Sequence, residues 1–146
     1  MPERTTSRIT IAAPPAQVMA VIADLEAYPE WAGSVKSVEI LSVYDDELER
    51  PAEATFVLDA GAIKDTYTLA YDWDDDTTVS WHLVKGEVLT SMEGSYRLAD
   101  NGDGSTDVEY ALELDLRIPL IGLLRRKAEK VVTDTALKEL QKRVTG

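Results

Sequence analysis

Cysteine is absent from the 146-residue chain, and histidine occurs once, as His82. Disulfide scaffolds, cysteine zinc sites and thiol catalysis are therefore excluded, and a histidine metal cluster with them. No stretch approaches the roughly 20 apolar residues that a bilayer-crossing helix needs. Met1–Thr10 has no apolar run of the secretory kind. A cytoplasmic protein is expected, and the lack of cysteine fits a reducing compartment. Cations are scarce: 15 Lys and Arg stand against 27 Asp and Glu, a net charge of −12. Phosphate contacts need Lys and Arg, so nucleic acid is not an expected partner. There is no glycine-rich phosphate loop, nucleophile elbow or dinucleotide fingerprint. Neither cofactor nor metal is expected. What remains is 45% hydrophobic and 29% charged, ordinary globular values, and 1–146 reads as one domain.

The charge is unevenly spread. Residues 1–118 carry 8 cations and 24 acids, while 119–146 carry 7 cations and 3 acids. A basic helix packed on an acidic sheet accounts for this, and so does a basic surface for an anionic membrane or partner.

Residues 4–12 alternate as a strand, and Pro14-Pro15 ends it. Val18, Val21, Ile22 and Leu25 then follow at helical spacing, predicting a helix over 14–25. Tyr28-Pro-Glu-Trp31-Ala-Gly33 suits a turn or one helical turn. The texture from 34 to 118 is β, with strands predicted at 35–44, 52–60, 63–73, 77–84, 89–98 and 106–118. Short turns rich in Asp, Asn and Gly separate them, so neighbours in sequence should pair antiparallel. After Pro119 comes a long amphipathic helix with Leu124, Ala128, Val131, Val132, Thr135, Ala136 and Leu140 as its apolar stripe. The fold class is α+β: a curved seven-stranded antiparallel sheet wrapped around a C-terminal helix, with two short helices after strand 1.

Alternation along the strands separates an inner face from an outer one. The inner set is rich in aromatics. Phe56, Tyr67, Leu69, Tyr71, Trp81, Leu83, Met92, Tyr96, Tyr110 and Leu112 are expected to line a cavity, with Leu124, Ala128 and Val131 facing them from the helix. Apolar walls with a few polar handles suit a concave ligand site, although the same residues also serve as core.

Several segments together carry a family likeness. They are Ile11-Ala-Ala-Pro14 with Val18, Ile22-Ala-Asp-Leu-Glu-Ala-Tyr28-Pro-Glu-Trp31 and Val35-Lys-Ser-Val38-Glu-Ile-Leu41. Gly94-Ser-Tyr96-Arg-Leu98, the stretch from Gly102 to Tyr110, and Ile118-Pro119 complete the set. In this order the chain resembles the START-like, or SRPBCC, superfamily, in its polyketide cyclase/dehydrase and coenzyme Q-binding branch. The resemblance spans nearly the whole chain. It implies a helix-grip fold with a deep cavity between sheet and last helix. Members bind lipids, sterols, quinones, polyketides or plant hormones; some cyclise polyketides, and others act through protein partners. The coenzyme Q branch has an aromatic and a second proline after its Tyr-Pro pair, where this chain has Trp31-Ala-Gly33.

Catalytic candidates are few. His82 and Arg97 fall on the outer face. Asp65 is the one acid on the inner parity of its strand, near the strand start, where a solvated end or a base at the cavity mouth both fit. The Asp72–Asp76 run lacks the ligand spacing of a calcium loop. Segment 118–127 joins apolar residues to Arg125, Arg126 and Lys127, and suits either a buried helix start or transient contact with an anionic membrane. The expected function is binding of a small hydrophobic molecule, lipid or polyketide-like, as carrier or sensor. The alternatives are a polyketide aromatase/cyclase or dehydratase using Tyr67 or Tyr110 with Asp65, and a protein-interaction module regulating growth whose partner the sequence does not name.

Overall fold

A computed structural model describes residues 4–45, 50–59, 64–74, 77–117 and 122–145, with the side chains of 122–125 outside the description. Strand β1 (Thr5–Ile11) leads into α1 (Pro15–Ala23), a single 3₁₀ turn (Leu25–Ala27) and α2 (Tyr28–Trp31). Six strands follow: β2 (Val35–Val43), β3 (Pro51–Asp59), β4 (Lys64–Asp74), β5 (Thr78–Gly86), β6 (Leu89–Asp100) and β7 (Thr106–Leu116). Helix α3 (Gly122–Thr145) closes the chain and is about 36 Å long at 1.5 Å per residue.

All seven strands form one antiparallel sheet in the order β1-β7-β6-β5-β4-β3-β2. Every pairing except β1 with β7 joins sequence neighbours, because only two to seven residues separate consecutive strands from β2 onward. The turn between β6 and β7 places Gly102 and Gly104 at φ of +80° and +87°, where a side chain would be strained. Asp100 and Asp103 carboxylates accept the Gly102 and Ser105 N–H groups and hold the turn.

Strand parity is as expected. Thr106, Val108, Tyr110, Leu112 and Leu114 are buried along β7, and Ala54 and Phe56 along β3. Val18, Met19, Ile22 and Leu25 cover one end of this face, with Leu137 and Leu140 of α3 in the same cluster. Gly94 has a packing role. A Cβ there would sit 2.5 Å from the Trp81 ring, so the missing side chain makes room for that indole.

The face that α3 turns inward is a correction to the expected stripe. Val131 is 60% exposed and Val132 43% exposed, and Thr135 is exposed as well. The buried positions are Glu129, Thr133, Leu137 and Leu140, with Ala136 and Val144 packed partly against the core. The 3.6-residue period holds, but the helix is turned by roughly a third of a revolution. Polar contacts with β1 explain this. Thr5 donates to Glu129 at 2.6 Å, Ser7 Oγ lies 2.6 Å from Thr133 Oγ1, and Gln141 donates to Thr10 O at 3.0 Å. Glu129 also accepts the Leu114 N–H at 2.8 Å. Hydropathy counts these polar residues against burial, yet Ser7, Glu129 and Thr133 are buried with their partners. Replacing Val131 by Ser is therefore expected to move the urea midpoint by no more than about 0.5 kcal/mol in stability. A loss above about 1.5 kcal/mol would restore the apolar stripe.

Candidate functional site

The inner face carries a continuous aromatic band across β3 to β7. Phe56 stacks on Tyr67 with centroids 5.5 Å apart and lies 6.5 Å from Tyr71. Tyr71 is 5.9 Å from Trp81, which meets Tyr96 at 5.5 Å and Tyr110 edge-on at 5.6 Å. Tyr96 and Tyr110 close the band at 4.6 Å. The cause is alternation: each strand sends one or two aromatic residues of the same parity to the same face, and antiparallel register aligns them. Val79 faces Tyr96, Trp81 faces Gly94, and Tyr71 faces Trp81.

The hydroxyl ends carry the chemistry. Tyr28 donates to Ile22 O at 2.6 Å. Among the described residues, the hydroxyls of Tyr67, Tyr71, Tyr96 and Tyr110 have no hydrogen-bond partner, although all four residues are at most 7% exposed. Their oxygens are not sealed in either. The only polar side-chain atom among the described residues that is both sealed and unpartnered is Trp31 Nε1. The four phenols therefore open onto space that a water-sized group reaches.

These phenols lie near one another in space. Burial pushes Tyr71 well up from the ordinary phenol range, and Tyr67, Tyr110 and Tyr96 push it further. Tyr96 is raised well by burial, then by Tyr110, Tyr28 and the Glu139 carboxylate. Tyr67 and Tyr110 are raised by burial first, then by Asp65 and by Tyr67 respectively. All stay protonated at neutral pH. They can donate or accept hydrogen bonds, but they are poor bases there.

Asp65 is not a solvated strand end, as its position near the start of β4 suggested. It is 4% exposed, and its two oxygens accept the backbone N–H groups of Glu87, Val88 and Leu89 at 3.0, 3.1 and 2.9 Å. It pins the β5–β6 turn, and that work leaves its oxygens little room to act as a base. His82 and Arg97 are exposed on the outer face, where sequence parity put them. Among the described residues, no three His, Asp or Glu side chains gather to hold a metal ion.

The other expected wall residues are distributed as follows. Leu69 and Leu112 are buried, while Leu83, Met92 and Ala128 are half-buried. Val131 turns away to the outside of α3, and the Leu124 side chain lies outside the described residues. So does most of 118–127, although Arg126 and Lys127 are exposed. Three residues near the site went unmarked as site residues. Tyr28 packs edge-on to Trp31 at 4.8 Å and reaches Phe56 at 6.3 Å. Glu139 accepts the Gly33 N–H at 2.9 Å. The i, i+3 spacing of Tyr28 and Trp31 is a sequence signal for that pair, but none marks Glu139. A separate open groove of about 650 Å³ lies on the outer face along β1, β7 and β6, where Arg8 and Glu109 pair at 2.8 Å. It shares no residue with the phenol cluster.

Residues 2–145 match the polyketide cyclase / dehydrase and lipid transport family. The chain belongs to that family. Its fold is the START-like helix-grip fold, as solved relatives show. A START superfamily protein from Mycobacterium smegmatis superposes with a TM-score of 0.90 at 22% identity, over 97% of each chain. The Zhui aromatase/cyclase from Streptomyces sp. R1128 gives 0.77 at 17% identity, over 97% of this chain and 92% of its own. A protein from Thermus thermophilus gives 0.78 at 26% identity, over 97% and 96%. No curated protein matches the chain significantly. The family description joins cyclase, dehydrase and lipid transport, so membership leaves open which of these this chain performs. No helix among the described residues is long and apolar enough to cross a membrane.

Proposed function

We infer that the chain, acting as one domain, binds a small hydrophobic molecule against the aromatic inner face, as a carrier or sensor. One observation carries this reading. Four buried phenols that lie near one another open their hydroxyls to accessible space and have no protein partner among the described residues. Hydroxyls opening onto such space can be satisfied by water, and a guest whose oxygens replace that water keeps the hydrogen bonds while burying its apolar surface. Ring faces contribute apolar contact, and the hydroxyls orient the guest's oxygens. Candidate wall residues are Phe56, Tyr67, Leu69, Tyr71, Trp81, Leu83, Met92, Tyr96, Tyr110 and Leu112, joined by Tyr28.

The second reading is turnover of a polyketide-like substrate. The phenols favour it, since a neutral hydroxyl can polarise a ketone as an acid. Against it, the buried carboxylates of Asp65 and Glu129 are occupied by hydrogen bonds to the protein itself. Glu139, half-buried on the helix side, is likewise engaged with the Gly33 N–H, so binding is the better supported role.

Native mass spectrometry of freshly purified protein, followed by organic extraction, tests this. A reproducible excess mass that solvent releases is expected. The Tyr96→Phe and Tyr110→Phe double variant should recover several-fold less of it, since each lost hydrogen bond is worth about 1 kcal/mol. A bare-chain mass from every preparation, with no apolar probe bound, would count against the carrier reading.

A further inference from the structure

Electrostatics on the inner side of the molecule runs one way. Asp65 is 4% exposed and Glu129 is 2% exposed. Glu139 is half-buried at the seam between α3 and the turn after α2, where it accepts the Gly33 N–H at 2.9 Å. Asp65 lies two residues from Tyr67 on the same face of β4, so an acid stands at that end of the aromatic band. Glu139 stands on the helix side, hydrogen-bonded two residues from Trp31, which packs edge-on to Tyr28 at 4.8 Å.

Cations are arranged oppositely. Every described Lys, Arg and His side chain is exposed except Arg50. Arg50 is half-buried, but it sits over the Trp73 ring at 5.3 Å, at the far end of β4 from Asp65. Aromatic faces add their own negative potential, which attracts cations and repels anions. An anionic guest would lose its hydration and meet acids and ring faces, while the one half-buried cation among the described residues, Arg50, is engaged with Trp73 at the Tyr71 end of the band. Burying a charge without a partner is costly, and the low dielectric of an interior strengthens like-charge repulsion. Neutral phenols hydrogen-bond to ketone, phenol and alcohol oxygens without the desolvation cost that a carboxylate brings.

We propose that the inner site selects by charge: it takes an uncharged, oxygen-bearing apolar molecule and rejects the carboxylate of the same skeleton. This rests on the reading that the aromatic face holds a ligand. Fatty-acid anions are then excluded as cargo, while neutral aromatic alcohols and ketones are accepted.

The test uses N-phenyl-1-naphthylamine, an uncharged fluorophore, bound to the full chain at pH 7. Displacement by 1-naphthol, neutral at that pH, is compared with displacement by 1-naphthoate. The naphthol is expected to displace the fluorophore at concentrations at least about tenfold lower than the naphthoate, a difference near 1.4 kcal/mol. Glu139→Gln keeps the acceptor oxygen for Gly33 and removes the charge, so the naphthoate should gain several-fold in that variant. If the fluorophore does not bind at all, the ligand-binding reading itself fails. If it binds and both competitors displace it equally, ligand binding stands and selection by charge is overturned. Selectivity that persists unchanged in Glu139→Gln overturns the part assigned to Glu139.

Discussion

Raising the pH past about 10 is expected to unfold the protein within a narrow range, with five of its six tyrosines ionising in that one step. Tyr28, Tyr67, Tyr71, Tyr96 and Tyr110 all have phenols raised above the ordinary value, with burial as the first cause. Tyr28 is half-buried as a residue, yet its hydroxyl is the inward end, held by Ile22 O. Below about pH 10 the phenols are protonated in folded and unfolded chains alike, and stability does not depend on them. Above it the unfolded chain releases protons that the folded chain retains, so stability falls as pH rises. Each such phenol contributes about 1.4 kcal/mol per pH unit, and five acting together reach about 7. A typical folding free energy of about 5–15 kcal/mol is then consumed within about two pH units. Tyrosinate absorbance and far-ultraviolet circular dichroism, followed in one titration, check this. Tyr44, on the exposed edge and bonded to Tyr71 O, should ionise apart from the other five. Gradual ionisation of all six with the fold intact would mean that the phenols are solvated, and the inner site would lose its basis.

Asp65→Ala should cost about 3–5 kcal/mol, seen as a shift of the denaturant midpoint. The carboxylate is the acceptor for three successive N–H groups, Glu87, Val88 and Leu89, and its bonds to them are charge-assisted. Alanine leaves those donors stranded where the turn is packed. Gly86 shows how close the packing is, since a Cβ there would lie 2.9 Å from Leu89 O. Asp65→Asn keeps one acceptor oxygen and should lose roughly half as much. Hydrogen exchange localised to 85–89 would separate turn release from global unfolding. A variant as stable as the parent would show that water replaces the carboxylate at no cost. Asp65 would then regain its standing as a free acid at the cavity mouth.

Strand identity and facing are legible in the order of residues alone. In β7 the alternation of Val108, Tyr110, Leu112 and Leu114 with acids leaves one way to face, because slipping by a residue would bury Asp107, Glu109 and Glu113. Short turns then force antiparallel neighbours, and the family likeness supplies the helix-grip arrangement. The aromatic membership of the inner face follows from the same parity. Three things do not follow, each for a reason that lies between elements and not within one. The rotation of α3 is set by Thr5, Ser7 and the Leu114 N–H finding partners in Glu129 and Thr133, and hydropathy scores those residues as solvent-facing. The role of Asp65 depends on a turn more than 20 residues away presenting three donors to it. The four unpartnered phenols emerge only in three dimensions. A strand pattern states that a tyrosine points inward, but whether its hydroxyl meets a partner or open space depends on the depth of the curve and the approach of the helix. Periodicity along one strand carries the direction of a side chain; distance across the interior belongs to the packing of the whole.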